Sequence, residues 1–204
     1  MTLSTDSSST NELLQRVVRG DQAAVDRLMQ QHRQYLRRLV EVRMEAALCQ
    51  RLDPSDVVQE TLLAASQRIE DFLQRRPCSF RVWLRSTALE RLVDARRRHQ
   101  AQKRNLQRDL AITDASSMAL AQYILGPRPS EQMARREQME RVRTAMAQLA
   151  KSDCEILTMR HAEELTNAEV ADVLHIDPKT ASKRYGRALR RLSDELARLE
   201  QASE

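Results

Sequence analysis

LTNAEVADVLHIDPKTASKRYGRALRRL, residues 165–192, is the stretch whose reading decides the fold. Thr166 and Glu169 have the spacing of a capping box, in which the Thr166 hydroxyl accepts from the Glu169 N–H and the Glu169 carboxylate accepts from the Thr166 N–H. That pair opens one short helix. Asp177 and Pro178 open a second, as N-cap and first helical residue. On it Ala181, Tyr185, Ala188, Leu189 and Leu192 share one face, whereas Lys179, Lys183, Arg187 and Arg190 gather on the opposite one, with Arg184 at its margin. No acid interrupts the basic side. An apolar back and a basic front predict a helix docked on its own domain and presented to the DNA major groove. Lys179, Thr180, Lys183 and Arg184 would reach the groove and Arg187 a phosphate. Ala171, small, lets the two helices cross closely, as a helix-turn-helix requires. The plainer alternative is a solvated basic face on an ordinary surface helix.

Outward from this motif, the 204-residue chain favours two compact helical modules joined by a linker. With three Gly, five Pro and frequent Ala, Leu, Arg, Gln and Glu, helix is favoured nearly everywhere and no period-two strand stands out. The expected fold class is all-α. A formal charge of +5 permits a polyanionic partner, although its clustering matters more than its size. Cys49, Cys78 and Cys154 are odd in number and far apart, which predicts buried reduced thiols rather than a disulfide framework or a CxxC metal site. The polar start MTLSTDSSST lacks the apolar core of a signal peptide, and no run is apolar enough to cross a bilayer. A cytoplasmic chain without membrane insertion is expected. No His has a second ligand at zinc spacing, no Gly loop cradles a phosphate, and no Ser-His-Asp or Cys-His arrangement stands out. Neither a metal, a cofactor nor enzymatic catalysis is expected.

Residues 1–10 read as disordered, 11–100 as an N-terminal helical domain, 101–129 as a linker and 130–199 as a C-terminal four-helix domain ending in the helix-turn-helix. Asp21 caps a helix carrying Val25, Leu28, Met29, Leu36, Leu39 and Val40. Asp53 and Pro54 start the next, with Asp56 in the first turn and Val57, Thr61, Leu62, Ala65 and Ile69 on its inner side. Ser79 caps a third, running from Phe80 into the basic end Arg96, Arg97 and Arg98.

Asp56, Gln59 and Glu60 make an acid-polar edge beside Val57 and Val58, suited to a basic helical partner; capping and solubility are the alternative. Trp83 is the only Trp, and it could stack on an unpaired base or belong to the core. Arg85, Arg91, Arg96, Arg97, Arg98, Lys103 and Arg104, against only Glu90 and Asp94, fit a phosphate track.

These residues carry a family resemblance. The chain resembles a short bacterial sigma factor of the sigma-seventy superfamily, the extracytoplasmic-function type. DPSDVVQETLLAA, residues 53–65, is similar to the family segment that docks on the clamp helices of the polymerase largest subunit. SFRVWLRSTALERLVDARRR, residues 79–98, resembles the segment that melts and reads the minus-ten element. Residues 149–192 resemble the region that binds the minus-thirty-five element. The resemblance implies a non-enzymatic initiation factor whose partners are core RNA polymerase and promoter DNA. It implies that Asp56, Gln59 and Glu60 meet polymerase, that Trp83, Arg85, Arg96, Arg97 and Arg98 serve the melted region, and that Lys179, Thr180, Lys183, Arg184 and Arg187 serve the upstream element. A dedicated anti-sigma protein often masks such factors. Three positions depart from the family pattern: His175 stands where Gly is frequent, Ala181 where a branched aliphatic is, and Glu90 where Asn is.

Two other readings remain at this point. One is a stand-alone helix-turn-helix regulator, typically a dimer on a palindrome. The other is a helical adaptor for protein partners, which leaves the basic face of the last helix without a purpose.

Overall fold

The computed structural model describes residues 6–100, 121, 124 and 132–201. Ten helices and no strand occur among the described residues. The fold is all-α, and the chain divides into two compact units, Met1–Gln107 and Arg108–Glu204.

The first unit contains α1 (Ser8–Val18), α2 (Gln22–Arg43), α3 (Ala46–Cys49), α4 (Pro54–Gln67), α5 (Ile69–Arg75) and α6 (Phe80–Gln100). Helices α2, α4 and α6 pack against one another and α1 lies on α2. Their apolar stripes meet in a core of Leu28, Leu36, Leu39, Val57, Ala65, Phe80, Leu84, Ala88 and Leu92, all buried. Gly20, at φ +84, turns the chain between α1 and α2, a conformation that a Cβ disfavours. Asp21 then caps α2 as expected, accepting from the Ala24 N–H at 3.2 Å while its other oxygen pairs with Arg16 at 2.6 Å. Asp53 caps α4 with Pro54 at the first position.

Three expectations are corrected here. For residues 6–10 the expected disorder does not hold, while residues 1–5 lie outside the described residues: α1 begins at Ser8, Ser7 caps it by accepting from the Thr10 N–H at 3.3 Å, and Thr10 is buried. Ile69 does not continue the helix begun at Pro54. That helix stops where the Arg68 N–H is shared between the Ala64 and Ala65 carbonyls, and Ile69 opens α5 as a separate buried contact. Of the cysteines only Cys154 is buried, and burial pushes its thiol up to about 11; Cys49 is exposed.

The second unit contains α7 (Gln132–Gln148), α8 (Lys151–His161), α9 (Asn167–Leu174) and α10 (Pro178–Gln201), and α10 packs on each of the other three. Val142, Met146, Ile156, Leu157, Met159, Leu165 and Val170 form its core. The span expected as a linker lies outside the described residues except for Ala121 and Ile124, both helical, of which Ala121 is fully buried.

Candidate nucleic-acid and protein interfaces

The helix-turn-helix is built by local hydrogen bonds that the sequence specifies. The Thr166 Oγ1 accepts from the Glu169 N–H at 3.2 Å and the Glu169 carboxylate accepts from the Thr166 N–H at 2.8 Å, so two otherwise orphaned donors of α9 are satisfied. Helix α9 ends at His175, which sits in the left-handed region at φ +51, and the Ile176 N–H returns to the Ala171 carbonyl at 3.0 Å. This is the conformation for which Gly is the usual residue. Asp177 opens α10: its Oδ1 accepts from the Thr180 N–H at 2.9 Å and its Oδ2 from the Thr180 hydroxyl at 2.5 Å. The Thr180 hydroxyl, then its N–H, holds the Asp177 carboxyl below the usual carboxylate range.

The back of α10 is fixed on its domain. Ala181, Ala188 and Leu192 are buried, the Tyr185 hydroxyl lies 3.2 Å from His161 Nε2, and the Arg160 guanidinium sits 5.2 Å over the Tyr185 ring. Arg191 pairs with Asp153 of α8. Ala171 is buried at the crossing, as its size requires. Lys179, Lys183, Arg184, Arg187 and Arg190 all stand exposed on the other side. Thr180 is half-buried, and because its hydroxyl proton is given to Asp177 it can offer a ligand only acceptor lone pairs.

The residues expected at the melted region do not share one surface. Trp83 is half-buried, its ring 4.8 Å from Phe72 and 5.5 Å from Phe80, so it forms the outer part of an aromatic cluster rather than standing free. Arg85 is 7% exposed and is turned inward. The reason is helical geometry. Arg85 and Arg96 are about three turns apart and fall on one face of α6, whereas Trp83 and Arg97 are about four turns apart and share another. Arg96 is accordingly half-buried and pairs with Glu45 at 3.1 Å. Arg97 and Arg98 are exposed. A count of basic residues along the sequence put Arg85 on a surface track that its position on the helix does not allow.

On α4, Asp56 and Gln59 are exposed and Glu60 is half-buried and paired with Arg98 of α6 at 2.8 Å. In the orientation that satisfies it, the Gln59 carboxamide oxygen accepts from the Arg33 guanidinium. Val57 and Val58 are buried in the unit's own core and are not part of the edge. The apolar neighbour on that edge is Leu63, 60% exposed, at helical spacing from Asp56, Gln59 and Glu60. Its exposure could have been read from the same spacing. Glu90 is exposed and pairs with Arg68 at 3.1 Å, so the acid in place of the family's Asn ties α6 to the end of α4.

A family model for ECF sigma factors matches residues 7–198, and the chain belongs to that family. It is a sigma factor, one of a family of transcription initiation factors. Curated relatives carry the same role. RNA polymerase sigma factor CnrH of Cupriavidus metallidurans is 29% identical over 143 residues, covering 69% of this chain and 72% of CnrH. RNA polymerase sigma factor NccH of Alcaligenes xylosoxydans xylosoxydans is 25% identical over 189 residues, covering 93% of this chain and 95% of NccH. The fold is similar to that in a solved structure of CnrH in complex with the cytosolic domain of CnrY, with a TM-score of 0.55 and 23% identity over 93% of this chain and 98% of that one. Among the described residues no helix is long and apolar enough to cross a membrane.

Proposed function

We propose that this sigma factor binds core RNA polymerase through Asp56, Gln59 and Glu60, opens and reads promoter DNA along α6, and grips an upstream element with α10. The observation that supports this most is the exposed cation row Lys179, Lys183, Arg184 and Arg187, in front of a buried apolar back on a helix that follows a capped turn. Such a helix presents its N-terminal half to base edges and its flank to phosphates. On α6 the reading rests on Trp83 and the basic end Arg96, Arg97 and Arg98, with Arg85 acting from inside the fold. Two weak DNA grips held on one polymerase scaffold multiply through effective concentration, so each can be small. CnrH has been solved with the cytosolic domain of CnrY, and by that likeness a protein partner that masks the factor belongs to the proposal.

The test is in-vitro transcription with core polymerase on a library of genomic fragments. The expected result is transcripts that start at a shared two-part promoter only when this protein is present. Footprinting of DNA by the protein alone, with no polymerase-dependent transcript, would overturn it.

A further inference from the structure

The first turn of α6 has donors that the helix itself cannot satisfy. The Phe80 N–H donates to Asp6 Oδ1 at 2.7 Å, across 74 residues of sequence, and the Val82 N–H donates to Ser79 Oγ at 3.3 Å. The Asp6 side chain is only 1% exposed, with the Arg76 guanidinium 3.7 Å from its Oδ2. Burying a carboxyl group is costly unless it has partners, and here the first turn of α6 and the Arg76 guanidinium supply them. Arg76 donates in turn to Asn11 Oδ1 at 2.7 Å, and Asn11 Nδ2 donates to the Asp6 carbonyl at 3.0 Å, closing a ring of contacts around the turn between α5 and α6. Arg76 lies in that turn at φ +35, a left-handed position that other contacts must hold in place.

A second line runs from the same segment. Thr10 Oγ1, buried, lies 3.2 Å from His32 Nε2; the His32 ring meets Phe80 edge-on at 5.2 Å; and Phe80 flanks Trp83. Residues 6–11 therefore touch both the backbone that starts α6 and the aromatic cluster that seats its single Trp.

We propose that residues 6–11 are a strap that positions the Trp83 end of α6, with Asp6 as its positioning residue acting through the Phe80 N–H and Arg76. This rests on the reading that α6 works at opened promoter DNA. Asp6 itself does not meet the nucleic acid. Ordering this segment costs conformational entropy, and the contacts it forms fix the one turn from which α6 and Trp83 depart.

The test uses the full chain with Asp6→Ala, Asp6→Asn, Arg76→Ala and the Asp6→Ala/Arg76→Ala pair. Because Trp83 is the only Trp, its emission and its quenching by iodide report on the cluster directly. Asp6→Ala is expected to shift the emission to the red and increase quenching while the helical signal is kept. Asp6→Asn, which can still accept from the Phe80 N–H but loses the charge that faces Arg76, is expected to fall between the parent and Asp6→Ala. On a promoter selected with the parent protein, the yield from duplex template relative to a pre-melted one is expected to fall on the order of tenfold with Asp6→Ala, the size of one charged hydrogen bond. Arg76→Ala should lower the same ratio, and the pair should add little more, because both act on one turn. Unchanged Trp83 emission in folded Asp6→Ala, or equal losses on both templates, would overturn the strap. If the parent supports no polymerase-dependent transcript yet Asp6→Ala still moves the Trp83 signal, the functional reading fails and the strap stands.

Discussion

Glu60 of α4 and Arg98 of α6 are joined by two hydrogen bonds, at 3.3 and 2.8 Å, that bridge 38 residues of sequence. Glu60 belongs to the edge proposed for polymerase, and Arg98 to the basic end proposed for DNA. Its carboxylate holds the Arg98 proton more firmly than usual, through the hydrogen bonds first. Both groups are substantially exposed, and exposed pairs of this kind contribute about 0.2–1 kcal/mol, so a stronger cation or a phosphate can displace either partner.

Asp56→Lys is expected to weaken binding to core polymerase without loss of helicity, since Asp56 is exposed and like charges across an interface can cost roughly several kcal/mol. Glu60→Gln removes the Arg98 pair without adding a cation and should give a smaller loss. Competition binding against core polymerase checks both; parent-like affinity in each would remove this edge from the interface.

Arg184→Ala should cost about 1–3 kcal/mol and relax preference at one or two upstream positions if it reads a base edge. Arg187→Ala should weaken all sequences alike and flatten the salt dependence. Leu192→Ala is the control: this buried side chain should act through stability, by about 2–5 kcal/mol. Binding over single-base variants at two salt concentrations separates the three, and identical specificity profiles for parent and Arg184→Ala would end the base-reading role.

Burial first, and Arg81 second, push the His32 imidazole down to about 4 from an ordinary 6.5. The unfolded chain therefore takes up the proton before the folded one does, so stability is unaffected above about pH 6.5 and falls as pH drops from there toward 4. The full effect is on the order of 3 kcal/mol. Denaturant unfolding at pH 7 and pH 4.5 should show a smaller difference for His32→Gln than for the parent; equal differences would place His32 outside the account.

His175→Gly should stabilise the second unit by about 0.5–1 kcal/mol, because a left-handed residue other than Gly carries a steric cost that exceeds the added freedom of the unfolded chain. His175→Val should do the reverse. Thermal unfolding checks the sign, and a lower midpoint for the Gly variant would mean that the His175 side chain contributes a contact worth more than the strain.

The helix-turn-helix was legible because the groups that build it lie within a few residues of their partners, Thr166 with Glu169 and Asp177 with Thr180, and because Ala181 and Ala188 mark its buried face at helical spacing. Asp21 and Asp53 were legible for the same reason. What the sequence did not disclose depends on contacts distant along the chain. Asp6 meets Phe80 across 74 residues of sequence and five intervening helices, and in isolation SSST reads as a polar tail. Arg85 counted as one more cation in a basic run until the packing of α6 on α2 and α4 determined which face turned inward. The stop at Arg68 had no Gly or Pro to mark it.

Helix α10 carries its domain contacts and its cation row on one uninterrupted rod of 24 residues. Adding or removing one residue between Asp177 and Leu192 would turn one relative to the other by about 100°. The length of that stretch is therefore as constrained as its composition, and a change of target must come from exchanging side chains in place. Beyond Leu192, where no cation of the proposed interface lies downstream, the same rod can gain or lose residues without altering which bases it faces.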